Sequence, residues 1–129
     1  MEAAAVSNKI RVLIADDQPL FAETLEALLA IDRRIAVVGT ARDGKEAVRL
    51  WRKLRPDVIL MDISMPIMDG IEATRRIRRQ RDDTCVLMLT GSNARTDVDR
   101  ARKAGASGYV TKDRIAADLI DAIVEVAAR

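Results

Sequence analysis

Histidine is absent from this chain, which removes imidazole base catalysis and any metal site that needs an imidazole ligand. The metal chemistry left open is oxygen ligation by carboxylates and carbonyls. The single cysteine, Cys85, cannot close an intramolecular disulfide; it opens the apolar run Val86-Leu87-Met88-Leu89, where burial is its expected role. Aromatic side chains are limited to Phe21, Trp51 and Tyr109. The N-terminal Met-Glu-Ala-Ala-Ala-Val-Ser-Asn has neither a basic leader nor a long apolar segment. Residues 1–8 therefore read as a flexible tail rather than a signal peptide, and the expected location is the cytoplasm, with no membrane partner. Charge of one sign is also scarce: a net +2 is too small to argue for nucleic acid. Arg75, Arg76, Arg78, Arg79 and Arg81 do form a local basic cluster, but most such clusters are solvated helix faces.

What is present is enough for one soluble domain with its own core, taken as residues 9–129: the chain has 129 residues, of which 49% are hydrophobic and 33% charged. Its organising stretch is Asp57-Val-Ile-Leu-Met-Asp-Ile-Ser-Met-Pro-Ile-Met-Asp-Gly70. Val58 to Met61 are apolar on both faces, as in a parallel strand covered by helices on either side. Pro66 and Asp69-Gly70 then stop the strand and set a turn before the next helix. Asp62 thus stands at a carboxyl end, where a charge needs a cleft or a partner.

Three other apolar runs end in reactive residues. Ile10–Ala15 ends in Asp16-Asp17, with Gln18-Pro19 as the exit and Pro near the first helical turn; Leu20, Phe21, Leu25, Leu28 and Leu29 follow at helical spacing. Adjacent strand residues point to opposite faces, so both carboxylates reach one cleft only if the backbone leaves the strand there. Cys85–Leu89 ends at Thr90-Gly91, and the short run Gly108–Val110 precedes Lys112. Between them, Ile35–Thr40 reads as a second strand, and Asp43 with Glu46 has the form of a capping box opening a helix. Ala47, Leu50, Trp51 and Leu54 line one face of that helix, and Pro56 ends it. Ile71, Thr74 and Ile77 face inward on a third helix. Strands alternating with helices predict right-handed crossovers, an α/β architecture and a doubly wound parallel sheet with helices on both faces. In such a sheet ligands bind beyond the carboxyl ends of the strands, where Asp17, Asp62, Thr90 and Lys112 all lie.

Through Ala-Asp-Asp at 15–17, Met-Asp-Ile-Ser-Met-Pro-Ile-Met-Asp-Gly at 61–70, Leu-Thr-Gly at 89–91 and Gly-Tyr-Val-Thr-Lys at 108–112, the sequence resembles the receiver domain of two-component response regulators over residues 9 to 128. The resemblance implies a flavodoxin-like five-stranded sheet of order 2-1-3-4-5. It implies that Asp62 accepts a phosphoryl group from a cognate histidine kinase, and that Mg²⁺ is ligated by Asp17, Asp62 and the Ser64 carbonyl, with Asp16 acting mainly through water. Lys112, the Thr90 hydroxyl and the Gly91 amide would contact phosphoryl oxygens. Such a domain catalyses its own phosphorylation and dephosphorylation and is not a turnover enzyme. The charge count agrees: the three aspartates are offset to zero by Mg²⁺ and Lys112, whereas carboxylates about 4 Å apart repel by roughly 4 kcal/mol per pair at an effective dielectric of about 20.

By the same resemblance, Thr90 moves toward the phosphoryl group and Tyr109 turns inward behind it. The fourth helix, Asn93 to Ala104, would respond because Ala94, Val98, Ala101 and Ala104 are its only apolar anchors. The ending Gly-Tyr-Val-Thr-Lys-Asp resembles receivers that precede LuxR-type helix-turn-helix domains, which implies transcription control through a DNA-binding domain lying beyond Arg129. The last helix, from Ile115 to Ala127, carries apolar residues over about 180°, more than the ~100° that one sheet face needs. A homodimer using Ile120 and Val124, through the first and last helices or the fourth-helix face, is therefore expected alongside lateral packing of the two helices. Many receivers place proline after the lysine, usually with a cis peptide; here Asp113 follows. A cis bond before another residue costs about 3 kcal/mol, so the sequence leaves that isomer open.

Other readings fit less well. A flavin protein would need more than three aromatics and a hydroxyl-rich loop after the first strand. An aspartyl-phosphate phosphatase would need Asp-x-Asp where Asp62-Ile63-Ser64 stands, and a nucleotide switch would need a Gly-x-x-x-x-Gly-Lys-Ser/Thr loop. The alternative that remains is a receiver-like interaction module that works without phosphorylation.

Overall fold

In the computed structural model, which describes residues 8–80, 83–91 and 95–129, five parallel strands form one sheet in the order β2-β1-β3-β4-β5. The strands are β1 (Ile10–Ala15), β2 (Ile35–Ala41), β3 (Val58–Asp62), β4 (Cys85–Thr90) and β5 (Gly108–Thr111). They alternate with α1 (Pro19–Ala30), α2 (Gly44–Leu54), α3 (Gly70–Arg79), α4 (Arg95–Ala104) and α5 (Ile115–Ala127). The expected strand order and both helical layers are present. β2 and β5 each run one residue beyond their apolar cores, because Ala41 and Thr111 still pair with Ala15 and Thr90. Of the expected fourth helix, Asn93 and Ala94 lie outside the described residues.

The pleat divides the strand side chains between two cores. Leu13, Ile59, Met61, Val86 and Met88 face Trp51, Ile71, Ile77 and Ala101 under α2, α3 and α4. Val12, Ile14, Val58, Leu60 and Leu87 face Leu25, Leu29, Leu119 and Ile123 under α1 and α5. Because β3 has helices on both sides, all five of its residues are buried, Asp62 included. That is the physical reason the run 58–61 is apolar without alternation.

Local chemistry sets the helix starts. Pro19 opens α1 without a side-chain cap from Gln18. The Asp43 carboxylate accepts the Glu46 N–H at 2.8 Å, as the capping box requires, but Glu46 Oε1 accepts from the Arg42 N–H, one residue before the expected partner. A second cap stands at α3, where Asp69 accepts the Glu72 N–H at 2.8 Å. Gly70 follows because a Cβ there would collide with the Asp62 carbonyl oxygen, so only glycine lets α3 start directly against the end of β3. Inward-facing Thr74 satisfies its hydroxyl on the Gly70 carbonyl at 2.7 Å.

Two features depart from the sequence pattern. Leu20 is 79% exposed; at 100° per residue it lies about 140° from Leu25, so the α1 stripe runs through Phe21, Leu25 and Leu29 instead. Lys112–Arg114 form a 3₁₀ turn that leads into α5. No described peptide bond is cis, which settles the Lys112–Asp113 bond as trans. On α5, Ile115, Leu119, Ile123 and Val126 are buried, while Ile120 and Val124 are half-buried at the margin of the apolar arc. No described helix is long and apolar enough to cross a membrane.

Candidate functional site

The crossovers bring the strand-end residues to one cleft. β1 stops at Ala15, and Asp16 still donates its N–H to the Ala41 carbonyl at 3.0 Å. Its side chain is buried, and Oδ1 accepts the Gln18 N–H at 2.8 Å, which bends the chain out of the strand. That bend lets Asp16 and the exposed Asp17 turn to the same side, and carboxylate oxygens of Asp16, Asp17 and Asp62 lie within 4.8 Å of one another. An all-carboxylate cluster of this kind could hold a hard divalent cation.

Among the described residues, one cation enters the cluster. Lys112 Nζ lies 3.1 Å from Asp16 Oδ2 and 3.5 Å from Asp62 Oδ2. Three carboxylates against one ammonium leave the cleft two positive charges short. The Asp62 carboxyl is pushed up to about 6, by burial first and by the Asp16 charge second. Lys112 and the Ser64 backbone N–H pull the other way without cancelling the rise, and Asp17 adds to it. A bound divalent cation would restore neutrality and offset the charge repulsion that helps raise the Asp62 carboxyl.

The remaining expected residues lie on the adjoining loop, at the end of β4 and on β5. Ser64 is exposed and lines, with Asp17 and Asp69, an open groove of about 530 Å³ beside the cluster. Thr90 is buried at the end of β4 opposite Thr111. Next to it Gly91 is exposed, and among the described residues a Cβ built there would touch nothing within 4 Å. Tyr109 is 46% exposed on the outer strand, turned away from the interior. Among the described residues the basic cluster does not join the site: Arg75 and Arg76 pair with Glu72, while Arg78 donates to the Gly105 carbonyl at 2.8 Å. Arg81 lies outside the described residues. Cys85 is half-buried, with its thiol 3.3 Å from the Val126 carbonyl oxygen.

Two specific contacts go beyond the sequence reading. The Lys112–Asp16 pair spans 96 positions, and no local pattern announces it. Phe21 places its ring under the Lys112 ammonium, 4.4 Å from centroid to nitrogen. Its one signal was position: it is the chain's only phenylalanine and sits in the first turn after Asp16-Asp17.

With this geometry, comparison with known proteins is specific. Residues 12–124 match the response regulator receiver domain. The chain is 43% identical over 120 residues to the transcriptional regulatory protein DegU of Brevibacillus brevis, covering 93% of this chain and 51% of DegU. It therefore spans about half the length of that relative. The signal receiver domain of NarL from Mycobacterium tuberculosis superimposes with a TM-score of 0.90 at 34% identity, covering 94% of this chain and 98% of that one. A CheX–CheY–BeF₃–Mg²⁺ complex from Borrelia burgdorferi aligns with a TM-score of 0.84 at 26% identity, covering 91% and 88% of the respective chains. A match over nearly the whole domain, in sequence and in fold alike, places this chain in the response regulator receiver family of two-component systems.

Proposed function

We propose that Asp62 is the phosphoacceptor, that it takes its phosphoryl group from a histidine kinase, and that Asp16, Asp17 and Asp62 hold Mg²⁺ for the transfer. The observation that carries this reading is the cleft's deficit of two positive charges around a buried carboxyl raised to about 6. Magnesium, when bound, neutralises the aspartates and the incoming phosphoryl oxygens. An Asp62 oxygen attacks phosphorus as the bond to the donor breaks, and the donor leaves with the bonding pair. Lys112 meets a phosphoryl oxygen as a point charge, and the Thr90 hydroxyl with the Gly91 amide meets another. The Ser64 carbonyl completes the protein's share of the metal ligands. Water attacking the same phosphorus reverses the modification, so the domain acts only on itself.

The Borrelia relative's named ligands, a beryllofluoride and Mg²⁺, are those this cleft would take. Output follows from Thr90 and Tyr109: drawing Thr90 toward the phosphoryl group opens space behind it for the Tyr109 ring, and α4 shifts with it. Only Ala101 and Ala104 are buried on α4, so little packing opposes the movement. Since DegU is named a transcriptional regulator, the signal would reach DNA through an output domain outside this chain, with Ile120 and Val124 available for self-association.

Intact-mass spectrometry after incubation with acetyl phosphate and Mg²⁺ tests the chemistry. The chain is expected to gain one phosphoryl group, to gain none in chelator, and to gain none as Asp62→Asn. An Asp62→Asn protein that still gains the group refutes the assignment. A wild-type protein that never does favours the phosphorylation-independent module instead.

A further inference from the structure

Lys112 is held by two different kinds of partner. Asp16 and Asp62 attract its ammonium by charge, and the face of Phe21 attracts it at 4.4 Å, inside the ~6 Å reach of a cation–π contact. The two restraints share an anchor. Asp16 Oδ2 meets Lys112 while Asp16 Oδ1 fixes the Gln18 N–H at the entry to α1, three residues before Phe21. The ring is thereby located relative to the carboxylate that the lysine also contacts.

We propose that Phe21 is a positioning residue for phosphoryl transfer: its ring seats the Lys112 ammonium in the cleft once the carboxylates are committed to a divalent cation. This rests on the function proposed above for Lys112. A lysine carries its charge on a flexible four-carbon stem, so its position depends on what surrounds the head group. The carboxylates that hold it in the metal-free cleft are the groups a metal would claim, and their pull on the ammonium falls as their charge is neutralised. An aromatic face is not a ligand for a hard divalent cation, so its attraction survives. The Lys112 side chain is only 21% exposed, so few waters can reach the ammonium in place of the carboxylates. A plain packing role is the competing explanation, since Phe21 also packs against the core cluster beneath α1 and α5.

Ring electronics separate the two at constant shape. Phenylalanine analogues carrying one, three and five ring fluorines, introduced at position 21, progressively remove the negative face without removing the ring. The rate of phosphorylation by acetyl phosphate at saturating Mg²⁺ is expected to fall stepwise, by roughly three- to tenfold across the series. Phe21→Leu should fall as far and Phe21→Trp should recover the rate. The groove of about 540 Å³ beside Pro19, Leu20 and Thr24 leaves room for the larger ring. In Lys112→Ala the series should be flat. A flat series with Lys112 present, or an equal slope without it, overturns the inference. The Lys112 ε-methylene proton resonances give a second reading that does not require phosphorylation. With Mg²⁺ bound they should carry a ring-current shift that disappears in Phe21→Leu, and its absence from the wild-type protein overturns the seat. A protein that shows the shift yet never gains a phosphoryl group would refute the phosphoacceptor assignment while leaving the seat in place.

Discussion

At the amino ends of the strands, Trp51 Nε1 donates to Thr84 Oγ1 at 3.1 Å, and that hydroxyl donates to the Pro56 carbonyl at 2.9 Å, with both side chains buried. At the carboxyl ends of the same strands, Asp16 and Asp62 are equally buried, but they face each other and Asp17 with one ammonium among three carboxylates. Both ends bury polar groups in contact with partners. They differ in whether the partners balance: the buried groups at the amino end are neutral and paired, whereas those at the carboxyl end carry a charge deficit. Buried polar groups therefore stabilise the fold at one end and oppose it at the other, where the proposed chemistry needs them.

The comparison makes opposite predictions for the two ends. The largest effect belongs to Trp51→Ala, which empties the volume between α2 and the sheet and removes the N–H that the Thr84 hydroxyl oxygen accepts. About 3–5 kcal/mol of stability should be lost in urea unfolding, with Asp62 phosphorylation retained in the fraction that is folded.

The carboxyl end should behave in reverse. Asp62 is raised from 3.8 to about 6 in the fold, so protonation favours the folded state. Its contribution is fully present below pH 4 and is lost as pH rises through 6, which amounts to roughly 3 kcal/mol in metal-free protein. Asp62→Asn lacks this loss and should be the more stable protein at pH 7 in chelator, the gap closing toward pH 4. Unfolding curves of both proteins across that window decide it, because carboxylates remote from Asp62 cancel in the difference. Parallel curves would mean that Asp62 is not strained.

Thr84→Val is isosteric but leaves the Trp51 N–H without its acceptor, and about 2 kcal/mol should be lost with no effect on phosphorylation. A neutral result would break the claim that the amino end is held by its hydrogen bonds.

The smallest effect returns to the carboxyl end. Ile67, in the loop after Asp62, has φ of 70° with a β-branched side chain 79% exposed, and Met68 N–H donates to the Pro66 carbonyl at 2.7 Å across it. Ile67→Gly should gain about 1 kcal/mol by relieving that conformation, provided the loop keeps its geometry. A loss would show that the exposed isoleucine side chain supports the loop.

The sequence by itself determined the parts of this protein whose cause is local. Apolar runs had to be buried strands, Pro19 and Pro56 had to bound helices, and Asp43 had to cap one. Asp16, Asp17, Asp62, Thr90 and Lys112 had to fall at strand ends because the apolar runs stop there. The resemblance carried by the same residues added the strand order, since order depends on how crossovers pack and not on any single run. Only the tertiary structure decided that Asp16 rather than Asp62 is the nearer partner of Lys112, that Phe21 lies beneath that ammonium, and that Thr84 completes Trp51 from 33 residues away. It also decided that Leu20 faces solvent and that Ile67 adopts a left-handed conformation. Those outcomes join residues far apart in the chain, or follow from closing a loop between fixed ends. A propensity or a period has no term for a partner that another crossover delivers.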